Sequence, residues 1–326
     1  MKAVVIREPG GPGVLDLREV ETPLPGPSRI RVRVAATALN RADLLQRRGR
    51  YPAPPGWPAD IPGLEYAGVV DAAGAGVTRW RVGDRVMGLV GGGACAEAVV
   101  VHEDEALPVP PSLPLEAAAA VPEAFITAHD ALVTQMQLRG GEWVLIHGAG
   151  SGVGTAALQI SLCIGARTMG TSRSAWKLER CVADGLEVAI EAGPGGFAEA
   201  VARATDGHGA DGVLDLVGGS YLRGNLAALA ERGRIVIVGL VAGASCELDM
   251  RTLMRKRATL RGTTLRSRSL EEKVEATRAF GDFAGPLLET GRLRPVVHAV
   301  LPMEEVRAAH EMLEADRNYG KVVLSW

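Results

Sequence analysis

The chain has few aromatic residues (4% of 326 positions) and only four cysteines. The cysteines, Cys95, Cys163, Cys181 and Cys246, lie far apart and form no C-x-x-C pair. That spacing excludes a zinc ribbon or a dithiol redox motif and reads as free, mostly buried thiols in a reducing compartment. The six histidines are equally scattered, with no H-E-x-x-H and no Cys/His cluster at metal-ligand spacing, so no metal site is expected. No apolar run approaches the ~20 residues that cross a bilayer, and residues 1–9 are too soon broken by Pro9 to act as a secretory signal. Neither charge sign dominates: the formal net charge is −2, which leaves no field to attract nucleic acid or an anionic membrane. The expectation is a cytoplasmic protein of one large or two ordinary domains, without nucleic-acid or membrane partners.

The stretch that organises the chain runs from Glu142 to Gly165. An apolar run, Trp143-Val144-Leu145-Ile146-His147, leads into Gly148-Ala149-Gly150-Ser151-Gly152-Val153-Gly154. Val153, Ala157, Ile160 and Ile164 then recur at helical spacing. Strand, glycine turn and helix form the setting in which backbone N–H groups and a helix N-terminus hold a pyrophosphate. A glycine string without those flanks would be weak evidence, and here Val153 stands where the third glycine of G-x-G-x-x-G would fall. By the resemblance set out below, Gly150, Ser151, Gly152 and Val153 are expected at a pyrophosphate.

The second strand is expected over 166–170. An NAD site carries an acidic residue near the end of that strand, for the ribose 2′-hydroxyl. No Asp or Glu occurs between Gly154 and Glu179; the sequence there is Thr171-Ser172-Arg173-Ser174-Ala175-Trp176-Lys177. Hydroxyls with Arg173 and Lys177 suit a 2′-phosphate, which favours NADPH over NADH. The plainer alternative is a set of solvated residues opening the next helix.

Before this stretch, short β-type runs at 3–7, 30–35, 68–72, 85–89 and 96–101 alternate with Pro/Gly turns, the pattern of a compact β-rich, barrel-like domain. Residues 52–62 carry five prolines and read as a rigid loop. Helical patterns follow at 116–120 and through Phe125, His129, Leu132 and Met136 to Leu138. Strands and helices then alternate to 234–238, which predicts a doubly wound parallel sheet. Val217 and Leu240-Val241 follow the fourth and fifth strands and should face the nicotinamide half. The tail predicts a helix at 270–288, a strand at 296–300, a helix at 303–315 and a strand at 321–324, returning to the first domain.

These motifs accumulate into a resemblance along the entire chain. The residues that carry it are Ala38-Leu39-Asn40-Arg41-Ala42-Asp43-Leu44, Pro62-Gly63-Leu64-Glu65, Gly91-Gly92-Gly93, Ala119-Ala120-Val121-Pro122-Glu123-Ala124, Thr127-Ala128, Ser151-Gly152-Val153-Gly154-Thr155-Ala156-Ala157, Gly218-Gly219-Ser220-Tyr221, Leu265-Arg266-Ser267-Arg268, and Glu314-Ala315 with Gly320-Lys321. The chain resembles the medium-chain dehydrogenase/reductase superfamily, and within it the zinc-free quinone oxidoreductases related to zeta-crystallin, closest to the p53-inducible type. The resemblance implies an α/β fold: a GroES-like β-barrel-type catalytic domain (1–122), a Rossmann NADPH-binding domain (123–264) and a C-terminal segment (265–326) returning to the catalytic domain.

Zinc-dependent members of that superfamily carry cysteine at the position of Asn40, histidine at Leu64 and cysteine near Glu123; the four-cysteine lobe is absent too. The resemblance therefore implies hydride transfer from NADPH to a planar quinone without a metal, ortho-quinones favoured, in a homodimer extended through 234–238 and 245–248. A reductase of α,β-unsaturated carbonyls is the runner-up, and a non-catalytic NADPH-binding protein a lesser alternative. Family placement puts Asn40, Asp43, Gln46 and Tyr51 on the substrate side, Asn40 as a donor to a carbonyl and Tyr51 as phenol and aromatic face. Asp43, as an anion, can only orient neighbours. Glu65 is expected to be structural. Thr127 is placed at the nicotinamide amide, Leu240, Val241, Leu265 and Arg266 along the cofactor's far half, and Ser172, Arg173 and Lys177 at the 2′-phosphate. A tyrosine usual near position 192 is Ala192 here, with Glu191 beside it, a charge that would repel the 2′-phosphate.

Overall fold

A computed structural model describes residues 1–191 and 196–326; Ala192 and Gly193-Pro194-Gly195 lie outside the described residues. The chain forms two compact units, residues 127–264 and residues 1–126 with 265–326.

In the unit 127–264, Val144, Leu145 and Ile146 have no solvent exposure. A strand covered on both faces belongs at the centre of a parallel sheet. Trp143–His147 is indeed flanked in spatial order by Val188–Glu191 and Arg167–Ser172 on one side, and by Ala210–Asp215, Leu229–Ile237 and Thr259–Gly262 on the other. All neighbours are parallel. In chain order this is 3-2-1-4-5-6, so the winding reverses between Trp143–His147 and Ala210–Asp215, where such sheets open a crevice at their carboxyl ends. Helices Gly152–Ile164, Ala175–Ala183, Ala198–Ala204 and Tyr221–Ala228 make the crossovers. Leu145, Met169, Phe197, Val213, Leu222 and Ile235 form the core between sheet and helices. Each such side chain contributes roughly 1.5–3 kcal/mol by leaving water.

Three expectations change here. The second strand runs on to Ser172. The helix expected to reach Leu138 ends as an α-helix at His129 and widens into a π-helix over Asp130–Gln135, with Met136 N–H bonded to Ala131 O at 2.9 Å. The fifth strand begins at Leu229, shifts register before Arg234, and is covered by Thr259–Gly262, a strand too short and polar to stand out in the sequence. The segment 234–238 is therefore not the sheet's edge, and 245–248 is exposed chain without strand pairing.

The other unit is built on the ten-residue strand Arg29–Ala38. It pairs antiparallel with Glu65–Ala73, Ala98–His102 and, at its end, Lys321–Ser325. Arg85–Leu89, Ala106–Pro108 and Val297–Pro302 complete a seven-stranded sheet, and Lys2–Ile6 pairs separately with Leu15–Glu19. Leu15–Glu19 and Ala106–Pro108 are not legible in the sequence: Asp16 and Arg18 interrupt the first, and the second has only three residues and ends on Pro108. The tail helix Leu270–Glu289 starts at a capping box, Ser269 with Glu272. Among the described residues no helix is long and apolar enough to cross a membrane.

Candidate active site

Three strand ends meet in the β-rich unit. The strand Arg29–Ala38 stops and, after Leu39, Asn40 caps the helix Arg41–Arg47. Glu65 opens the strand Glu65–Ala73 beside it, where Thr37 Oγ1 donates to Glu65 O at 2.6 Å. Lys321 opens the last strand, whose Val323 pairs with Ala38. The register therefore brings Asn40, Glu65 and Lys321 together.

Lys321 Nζ lies 2.6 Å from Glu65 Oε1, 2.5 Å from Asn40 Oδ1 and 2.9 Å from Leu39 O. Glu65 Oε1 also accepts from Asn40 Nδ2 at 2.9 Å, and Oε2 from Glu123 N–H at 2.9 Å. Glu65 has no solvent exposure, so its charge depends on these partners. Asn40 Nδ2 donates a second time to Ala38 O at 3.1 Å. Both amide hydrogens of the donor expected for a substrate carbonyl are engaged inside the protein. Beside this cluster, burial pushes Glu123 up to about 7, helped by Glu65 and Asp43 and opposed by Lys321.

Asp43 is also fully buried; its two oxygens accept from the Asn40 and Gly63 backbone N–H groups at 2.8 and 2.9 Å. Burial lifts its carboxyl to about 6, against those hydrogen bonds and the cations Lys321 and Arg266. These two bonds tie it to two backbone turns. Gln46 donates to Ala59 O at 3.2 Å and accepts from Arg266. Arg266, expected along the cofactor, donates to Gly91 O at 2.8 Å and Tyr51 O at 3.1 Å, and its guanidinium lies 4.9 Å from the Tyr51 ring centre. A cation behind that ring holds it without using its hydroxyl. Cys95 is buried, and burial with nearby Asp43 pushes its thiol up, the opposite of a reactive sensor.

In the parallel-sheet unit, residues 148–150 form the turn after Trp143–His147, and Ser151 caps the helix Gly152–Ile164, its Oγ accepting from Gly154 N–H at 3.1 Å. Gly165, in the left-handed conformation, ends it. A Cβ on Gly154 would press into the carbonyls of Gly148 and Ala149. Gly154, one residue beyond Val153, thus makes the close approach of helix to strand. Such a bare turn at a helix N-terminus fits a pyrophosphate. Ser172 ends the second strand and Arg173 is exposed beyond it. Lys177 is buried, 5.5 Å over the Trp176 ring. Glu191 is the register partner of Ser172 on the neighbouring strand.

Two profiles cover most of the chain: alcohol dehydrogenase GroES-like domain over residues 26–111, and zinc-binding dehydrogenase over residues 152–280. A quinone oxidoreductase of Pseudomonas aeruginosa is 35% identical over 316 residues, 97% of this chain and 96% of that one. The chain belongs to the quinone oxidoreductases of the medium-chain dehydrogenase/reductase superfamily. Its fold is the superfamily's GroES-like domain with a Rossmann sheet. A solved NAD-dependent alcohol dehydrogenase is 36% identical with a TM-score of 0.87, covering 100% of both chains. The CurK enoyl reductase is 26% identical with a TM-score of 0.86, covering 99% of this chain and 98% of its own. Family membership makes the chain a pyridine-nucleotide oxidoreductase and does not choose between NADH and NADPH.

For a quinone oxidoreductase chain the other expected cofactor residues are distributed as follows. Thr127 is buried in the helix Pro122–His129. Val217 is half-buried and its carbonyl accepts from Ala242 N–H at 2.8 Å, which ties it to the exposed Leu240 and Val241. Leu265 is buried in the β-rich unit. Among the described residues no group of three or more His, Cys, Asp or Glu side chains is placed to hold a metal ion. Gly320-Lys321 is part of the resemblance, but no local pattern assigns Lys321 to this cluster; a lysine opening an apolar strand is the available signal. His147, Asp215 and Asn225 were missed as well.

Proposed function

We propose that the chain is an NADPH-dependent, zinc-independent reductase of planar quinones, ortho-quinones favoured, acting in the cytoplasm as a homodimer. The observation that carries this reading is the Asn40–Glu65–Lys321 cluster. Where zinc-dependent relatives hold a metal, this chain has an ammonium saturated by a carboxylate, an amide and a carbonyl. An internal cation there leaves no donor set for zinc, which needs three or four S, N or O ligands at once.

Gly150, Ser151, Gly152 and Val153 would hold the pyrophosphate of NADPH. Ser172, Arg173 and Lys177 would hold its 2′-phosphate, and Thr127, Val217, Leu240 and Val241 its other half. Bound there, NADPH supplies the hydride. The chain's part is to orient and to exclude water. A quinone is already electron-poor, so it needs a flat apolar wall and few donors. Tyr51 offers a ring backed by Arg266, and its hydroxyl makes no hydrogen bond among the described residues. Asn40 holds Lys321 and Glu65 in place rather than touching the substrate.

That same Tyr51 hydroxyl favours the second reading, an NADPH-dependent reductase of α,β-unsaturated carbonyls, because an enone must receive a proton next to its carbonyl. Tyr51→Phe separates the two: quinone reduction falls modestly, whereas enone reduction is nearly abolished. The deciding test is anaerobic NADPH oxidation by chelator-treated protein across ortho- and para-quinones, enones and alcohols, with NADH as comparison. Turnover of quinones with NADPH supports the proposal. Turnover of enones alone moves the chain to the second reading, and binding of NADPH without turnover makes it a non-catalytic binder. For the homodimer, the uncovered edge strand Thr259–Gly262 with the exposed Leu240, Val241, Leu248, Met250 and Met254 supplies an apolar surface. A monomer mass in light scattering would refute it.

A further inference from the structure

His147 lies directly before the glycine turn and has no solvent exposure. Its ring packs edge-on against Phe197 and Tyr221, centroids 4.6 and 4.9 Å away. Both nitrogens are bonded: Nδ1 to Thr171 Oγ1 at 2.8 Å and Nε2 to Asn225 Oδ1 at 2.7 Å. Asn225 in turn donates from Nδ2 to Asp215 Oδ2 at 2.8 Å. Asp215 Oδ1 accepts the backbone N–H groups of Val217 and Gly218, each at 2.8 Å.

The direction of the chain follows from the donors. Asn225 points its NH2 at a carboxylate, so its carbonyl oxygen faces His147, and His147 Nε2 carries the hydrogen. Burial holds the imidazole neutral by pulling its basicity down, against the pull of Asp215. Nδ1 is then an acceptor, and Thr171 donates its hydroxyl hydrogen to it. The relay thus reads Thr171 to His147 to Asn225 to Asp215, with one hydrogen in each link.

Both ends of the relay grip backbone. Thr171 O accepts from Ala149 N–H at 3.0 Å, inside the glycine turn. Asp215 holds the Val217–Gly218 loop, and Val217 O holds Ala242 at 2.8 Å. The three backbone stretches so tied are the ones assigned above to pyrophosphate, 2′-phosphate and nicotinamide half.

We infer that His147 is a positioning residue for the dinucleotide: a neutral imidazole that locks the glycine turn and the Val217–Gly218 loop into one frame through Thr171, Asn225 and Asp215. This rests on the proposed nucleotide reading of that turn. The groups facing the relay are Asp215 and the Tyr221 phenol, the latter beside Arg173.

The test uses the full chain and four variants, with NADPH titrated by fluorescence and amide exchange followed without cofactor. His147→Phe keeps a ring between Phe197 and Tyr221 but loses both hydrogen bonds. It should raise the NADPH Kd about tenfold while kcat at saturating NADPH stays within about twofold. Amide exchange at Ala149, Val217 and Gly218 should speed up about tenfold. His147→Gln, which can still donate to Asn225, should recover part of both effects. Thr171→Val, near-isosteric, should give a smaller loss and keeps the question open to measurement if the His147 variants do not fold. Asn225→Asp puts two carboxylates side by side; its Kd, taken as a ratio to wild type, should worsen as pH rises from 6 to 8 and their shared proton is lost. A folded His147→Phe protein with Kd and exchange both within about twofold of wild type overturns the inference. If wild type binds neither NADPH nor NADH, the nucleotide reading fails, and the exchange rates alone then decide whether the relay orders these loops.

Discussion

The two units build their polar centres in opposite ways. The glycine turn is contiguous: residues 143–165 supply strand, turn, cap and helix from one stretch of chain. The Asn40–Glu65–Lys321 cluster is assembled from far-apart segments, the Lys321–Asn40 contact alone spanning 281 positions. Local chemistry governs the first, since glycine placement and a serine cap act over a few residues. Strand register governs the second, since only the pairing of Lys321–Ser325 with Arg29–Ala38 brings an ammonium to a buried carboxylate.

The sharpest way to break this contrast is Lys321→Met. It leaves the Glu65 carboxylate buried without its cation and should cost about 3–5 kcal/mol in denaturant unfolding. Adding Glu65→Gln should restore most of that loss, because the uncompensated charge goes with it; a double variant no better than the single one would show that Lys321 acts by packing alone. Next in size is an acid effect in the same unit. Burial, with Arg47 alongside, holds His310 down at about 3, from a usual 6.5. The unfolded chain takes up this proton below pH 6.5 while the folded chain does not, so stability is present above that pH and drains away as pH falls. By pH 4 the loss from this one group is about 3 kcal/mol. In His310→Gln the fall in Tm between pH 7 and pH 4 should be correspondingly shallower; identical slopes would rule the group out.

Smaller effects test the glycine-turn unit. Arg173→Ala should weaken NADPH about tenfold and leave NADH within about twofold, since only NADPH carries the 2′-phosphate. Equal losses for both would remove Arg173 from the phosphate. Smallest is Glu191→Gln. Glu191 is the exposed register partner of Ser172, and removing its charge should tighten NADPH about threefold at low salt, an advantage that fades as salt is added. No change at any ionic strength would mean that the carboxylate points away from the phosphate.

What could be read in advance follows the same division. Trp143–His147 and Arg85–Leu89 have the bounds that apolar patterning gave them. Ser151 was read at the turn, and its capping of the following helix is a local act. The strand Thr259–Gly262 was not legible, because half-exposed Leu260 among polar neighbours leaves no periodic signal. The resemblance puts Arg266 along the cofactor, but its hydrogen-bond partners Gly91, Tyr51 and Gln46 are not legible in the sequence. Those partners lie 175 or more positions away, beyond the reach of any local pattern.

The sequence by itself determined the two-part architecture, the family, the glycine turn and the missing carboxylate after the second strand. All of these are written in residue order, through periodicity, turn chemistry and short-range spacing. Only the tertiary structure decided that Lys321 meets Asn40 and Glu65, that Asn40 has both amide hydrogens engaged, and that His147 links Thr171 to Asn225 and Asp215. Buried polar groups must find partners, and which partner is within reach is set by strand register and helix packing rather than by neighbours in the chain.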